Sequence, residues 1–435
     1  MIRRCFPSHP LEQSTSPRFV SNTTSIFRPI HTMLKSFTAA PHRVMFFGGA
    51  LQTLFAMLWW LFELSARYGV IGTSTAWPLY PAAIHFYLLM YGMLPFFFFG
   101  FLMTTFPRWM NGEEIPAARY VPAFVLLLLG TLAFYAGLFL GRTLLVISVM
   151  ATLAGWAVGM YALLRSLLET PHPDKRHPLV LFVALLLGWC GAGLFLAWLL
   201  TDNHACLQAS IQSALWLFAL PVFATVAHRM LPFFTRSVAA GQDVPRPFWP
   251  WWTILAASVA HGLLQFADAG RWLWLSDIPL ALASLYLSYL WGFRRSFQNP
   301  LLAVLHVGYA WLGVAMALFA VQSLWLLAHH GTGFIWGFAP LHALTIGCYA
   351  TLIIGMGTRV TLGHSGLPFA IDTPVKLMFI GIQLTAIVRV AADLLPSHAA
   401  WLYIVASALW LACFGPWVWR YLPAYWRPRA DGQPG

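Results

Sequence analysis

Charge is scarce in this sequence. Asp, Glu, Lys and Arg together make up 9% of it, where soluble domains carry roughly a quarter. With hydrophobic residues at 60%, that excludes an ordinary soluble enzyme or binding module, because too little polar surface exists to face water. Acidic residues are the rarest of the charges, and Glu63 and Asp277 lie near the ends of apolar stretches, so no carboxylate relay for protons is visible. The five cysteines (Cys5, Cys190, Cys206, Cys348 and Cys413) make no CxxC pair and mostly fall inside apolar segments. They read as small core residues, which argues against a disulfide framework and a thiolate metal site. Alternating segments of about ten residues are missing, and with them a membrane β-barrel. No nucleotide-binding loop and no nucleophile–base pair is apparent.

What the chain does have is apolar runs of about 20 residues, the length a helix needs to cross a bilayer. In lipid every backbone amide and carbonyl must be satisfied internally, so such runs become helices. The runs predict an all-α polytopic membrane protein, a bundle of about twelve transmembrane helices. The windows are 44–64, 80–106, 120–140, 143–164, 178–201, 207–231, 249–267, 272–292, 300–328, 335–358, 374–395 and 399–420. Residues 1–43 read as a flexible cytosolic leader with Met33 an alternative start, since they lack the apolar stretch of a signal peptide. Residues 44–422 form the transmembrane domain and 423–435 a short basic tail. No loop between spans is long enough for a soluble domain, so function resides in the bundle.

The net charge of +12 is a topology signal rather than a nucleic-acid footprint, because the basic residues alternate between loops. Both termini and one set of loops carry 21 Lys and Arg; the opposite loops carry only Arg67, Arg142 and Arg271. The positive-inside rule then places both termini in the cytoplasm.

Ionisable residues at membrane depth invite a functional reading. His85, His261 and His342 each lie about five to seven residues from the outer ends of their spans, roughly 7–10 Å deep. His306, His228 and His364 form a second layer at the inner side. Neutral imidazole is a good ligand for haem iron and for copper, although a lone intramembrane His commonly just bonds a neighbouring helix. His204, His329 and His330 sit at outer loop ends, and His9, His31, His42, His172 and His177 receive no role. The run Phe96-Phe97-Phe98-Phe99 fits either the aromatic belt or the wall of a flat macrocycle.

Four segments, in order, resemble the NnrS family of haem- and copper-containing membrane proteins associated with the nitric oxide response. They are His85-Phe-Tyr-Leu-Leu-Met-Tyr-Gly92 with Gly100-Phe-Leu-Met-Thr-Thr-Phe-Pro107; Arg229-Met-Leu-Pro232-Phe-Phe-Thr-Arg236; Pro300-Leu-Leu-Ala-Val-Leu-His306; and Leu341-His342-Ala-Leu-Thr-Ile-Gly347, running to Arg359 and Gly363-His364-Ser-Gly366. Where the family commonly has a second His and a Glu in the first segment, this chain has Tyr87 and Leu88, which weakens the copper assignment.

The resemblance implies a bacterial cytoplasmic-membrane haem protein, with copper as a second metal, that binds nitric oxide or a related small molecule. Whether it turns nitric oxide over is left open, as is its oligomeric state. His342 is the first haem-ligand candidate, with His85 its partner and His261 an alternative. Two axial ligands must lie about 4 Å apart across one iron, at roughly 2 Å per bond, which sets His306 apart. His306 with His228 or His364 would instead serve a second metal. Arg229 and Arg359 are placed to pair with haem propionates. The competing reading is a transporter of a metal ion or small solute, but no inverted repeat is evident.

Overall fold

A computed structural model describes residues 33–72, 75–238 and 243–432. Among these the chain is all helix and loop. The helices are α1 (Pro41–Arg67), α2 (Pro81–Met90), α3 (Leu94–Met110), α4 (Ala117–Leu140), α5 (Arg142–Glu169), α6 (Arg176–Thr201) and α7 (His204–Val238). They continue as α8 (Phe248–Phe266), α9 (Trp274–Leu290), α10 (Pro300–Ala328), α11 (Ala339–His364), α12 (Thr373–Leu394) and α13 (Ala399–Tyr421).

Ten segments, 22–35 residues long, are long and apolar enough to cross a membrane; one of them is α2 and α3 taken together. The protein is a polytopic membrane protein. The expected spans over 249–267 and 272–292 are α8 and α9, helices of only 19 and 17 residues. At 1.5 Å per residue, α9 reaches about 26 Å, just under the hydrocarbon thickness. It is short because Gly270–Trp272 is spent on a 3-10 turn and Gly292, at φ +89°, ends the helix.

Local sequence sets the ends. Asn299 accepts from the amides of Leu301 and Leu302, with Pro300 opening α10, and Asp372 caps α12 in the same way. Neighbours in sequence pack as antiparallel pairs: α4 on α5, α9 on α10, α12 on α13. The α4–α5 turn needs Gly141, whose φ of +102° suits few other residues. Small residues let these helices approach closely: a Cβ on Gly155 would meet the Leu127 amide of α4.

The expected leader mostly falls outside the described residues. Its last part does not: Phe37 packs edge-on against Phe47, and the buried Arg43 guanidinium donates to the carbonyls of Ser36 and Arg427. Both ends of the described chain are thereby fastened to the same side of the bundle.

Two spans depart from regular α-helix. In α7, Ser213–Ala219 is a π-helix, and in α11, Ala343–Ala350 is another. A π segment inserts an extra residue and re-aims the side chains around it, and such segments recur at functional sites. The α2–α3 span is interrupted as well, at Tyr91–Met93, ahead of Pro95. All three irregularities lie around one internal space.

Candidate functional site

That space is a cavity of about 510 Å³, within the size range of small-molecule and cofactor sites. It lies towards the side opposite the basic loops, between α1, α2, α7, α11, α12 and α13. Leu215 reaches it from the first π segment, and Ile346, Tyr349 and Ala350 from the second. The walls are mainly apolar, with Trp60, Phe86 and Trp410 prominent among them.

Both His85 and His342 line this cavity. His342 sits at the last α turn before the second π segment, and its Nδ1 lies 2.9 Å from the Phe338 carbonyl oxygen. A carbonyl only accepts, so Nδ1 carries the proton and the neutral ring keeps its lone pair on Nε2. Metal-bound histidines are commonly oriented by this kind of bond from the other ring nitrogen. His85 stacks on Trp60 with ring centroids 4.2 Å apart. No hydrogen bond from a described residue reaches either of its nitrogens; Nδ1 is sealed within the protein, so Nε2 is the nitrogen left for a partner in the cavity.

Two arginines line the same cavity. Arg67 pairs with Glu63 at 2.7 Å, and Arg389 pairs with Asp393 at 2.8 Å while lying over the Tyr403 ring. Sequence reasoning missed both. The signal for Arg389 was present: it is a basic residue well inside the apolar window 374–395.

The other candidates are elsewhere. Neither Arg229 nor Arg359 lines the cavity: Arg229 lies over Trp109 and Arg359 over Phe234. His261 is wholly buried, its Nδ1 2.5 Å from Asp277 Oδ1 and its ring against Trp216, and it does not line the cavity either. Tyr87 points into the bundle, bonding Thr152 and stacking on Phe134, and the Leu88 carbonyl accepts from Gln52. The departure from the family pattern at these two positions therefore falls away from the cavity wall.

On the basic side the histidines pair differently from expectation. The Pro247 carbonyl accepts a hydrogen bond from His228 Nε2 at 3.0 Å, so His228 Nδ1 accepts from His177 Nε2 at 2.9 Å. His364 packs against His42, with ring centroids 4.3 Å apart. His306 donates from Nε2 to Thr235, two turns beyond His228 on α7. His177 and His42, given no role from the sequence, are thus the partners that His228 and His364 acquire. Outside the spans, the hydrogen bonds of Arg176 hold the Asp174 carboxyl below the usual carboxylate range.

The metals named for the family fit this geometry unequally. Haem brings four nitrogens of its own and would need protein ligands, apolar walls and cations near its carboxylates; His85 and His342, the largely apolar lining, and Arg67 and Arg389 are the cavity's residues that would supply them. For copper, no group of three or more His, Cys, Asp or Glu gathers at one point among the described residues.

The family model described as NnrS protein matches residues 36–429, and the chain belongs to that family, whose members are linked to the nitric oxide response. A comparison with curated proteins finds no match.

Proposed function

We propose that this protein is a haem-binding membrane protein of the nitric oxide response, with the haem held in the 510 Å³ cavity by His85 and His342. One observation carries the reading: two imidazoles with uncommitted nitrogens line a single, largely apolar cavity inside a membrane bundle. Bound haem would supply an iron at which a small uncharged ligand such as nitric oxide binds in place of one of the two histidines. The chain's own residues hold and orient it. Phe338 fixes the His342 tautomer, Trp60 holds the His85 ring, and Arg67 and Arg389 offer guanidiniums to the propionates. The apolar walls keep water away from the metal.

In this reading both termini and the basic loops face the cytoplasm of a bacterial cell, and the haem lies towards the opposite surface. The second layer of histidines receives no metal here, because its members are engaged in pairs. The visible absorption spectrum of the purified protein tests the reading. A haem Soret band close to one per chain is the expected result; a colourless protein from haem-replete cells would overturn it and favour solute transport through the cavity.

A further inference from the structure

A second cavity, of about 60 Å³, lies beside the first, and its walls carry no polar side-chain group at all. Phe97 and Phe98 of α3, Val222 and Phe223 of α7, and Leu352 and Ile353 of α11 are among the residues that line it. All six are buried. Here the phenylalanine run of α3 finds its place: Phe97 and Phe98 line this small space and not the large one.

Volume and chemistry limit what enters. A site of about 10–15 Å³ by this measure holds one water, so the space itself is ample for two or three small atoms. Water needs two to four polar partners and finds none here, and apolar cavities of this kind stay dry and take up xenon. The space is far below the roughly 300–1,000 Å³ of solute pockets. A small apolar gas fits both limits.

Its position gives that gas somewhere to go. Ile353 lines both cavities, and Phe223 of the small cavity stacks at 4.4 Å on Tyr349 of the large one. A single layer of side chains separates them. Away from that wall, Val226, Met230 and Met356 are the lining residues that remain partly exposed, and they mark the side on which the small cavity opens.

We propose that this apolar cavity is a docking site for a small uncharged diatomic gas, one side-chain layer from the histidine cavity, and a way station between the bilayer and the haem. The gas site stands on its own walls; its service to the haem rests on the function proposed above.

Crystals of the full-length protein pressurised with xenon test the site without reference to haem. Xenon between Phe98, Val222 and Ile353 is expected, with its occupancy lost in Ile353→Phe and, at the partly exposed rim, in Val226→Phe. Ordered water, a lipid chain or no xenon in the wild-type cavity would overturn the proposal, as would wild-type xenon occupancy in both variants. Flash photolysis of the carbon monoxide adduct then reads the connection. Val226→Phe should slow rebinding from solution several-fold with an unchanged spectrum, and an unchanged rate would remove the way-station role. A protein that takes up xenon but holds no haem would sink the haem reading and leave the gas site standing.

Discussion

One turn before His342, the carbonyl oxygen of Phe338 accepts a hydrogen bond from its Nδ1 at 2.9 Å. That single bond decides which nitrogen of the ring is free, because a backbone carbonyl accepts and never donates. It sets the Nε2 lone pair of a cavity-lining residue at the point where α11 leaves regular helix. From it and its neighbours several outcomes can be measured.

The cavity's own arginine should matter more than the one next to the family-like segment. Replacing Arg389 with Gln removes a guanidinium bordering the cavity and should lower haem affinity by about tenfold, the size of one charge-assisted bond. Arg359→Gln alters a residue stacked on Phe234 and should leave affinity unchanged. Haem titration of both apo variants checks this; equal losses would return the propionates to the basic side.

His261 is predicted to be structural. Both it and Asp277 are fully buried and 2.5 Å apart. Removing one partner of a buried pair typically costs about 3–5 kcal/mol, so His261→Ala should melt at a clearly lower temperature. Its haem content per folded protein should match wild type. Loss of haem without loss of thermal stability would make His261 a ligand after all.

The proposed orientation is open to direct labelling. In a cysteine-free background, single cysteines near Lys175 and near Asp202, at the two ends of α6, should react with an impermeant reagent from opposite sides of the membrane. In intact cells only the site near Asp202 should label. The reverse pattern would invert the protein and put the haem cavity nearer the cytoplasm.

Much of the fold was legible because the bilayer enforces it: an apolar run of about 20 residues has no option but helix. The shortness of α9 was not, since the 3-10 turn at Gly270–Trp272 spends residues that look like span. The placing of His85 and His342 on one side followed from counting residues along their helices. The shared cavity did not follow, because it depends on two π segments and the Tyr91–Met93 break, which shift side chains without leaving a mark in the hydrophobic pattern. Arg389 was visible as a charge inside a span, yet its role depends on facing a cavity, which only packing reveals. The second histidine layer shows the same limit: His228 turns to His177 and His306 to Thr235, and depth alone says nothing of the direction a side chain faces.

The central claim is that His85 and His342 together hold one haem, and the most direct measurement is haem absorbance per protein in His85→Ala, His342→Ala, His261→Ala and His306→Ala. The account predicts loss or a marked spectral change in the first two and wild-type absorbance per folded protein in the last two. Full haem occupancy with an unaltered spectrum in the His342→Ala protein would contradict it.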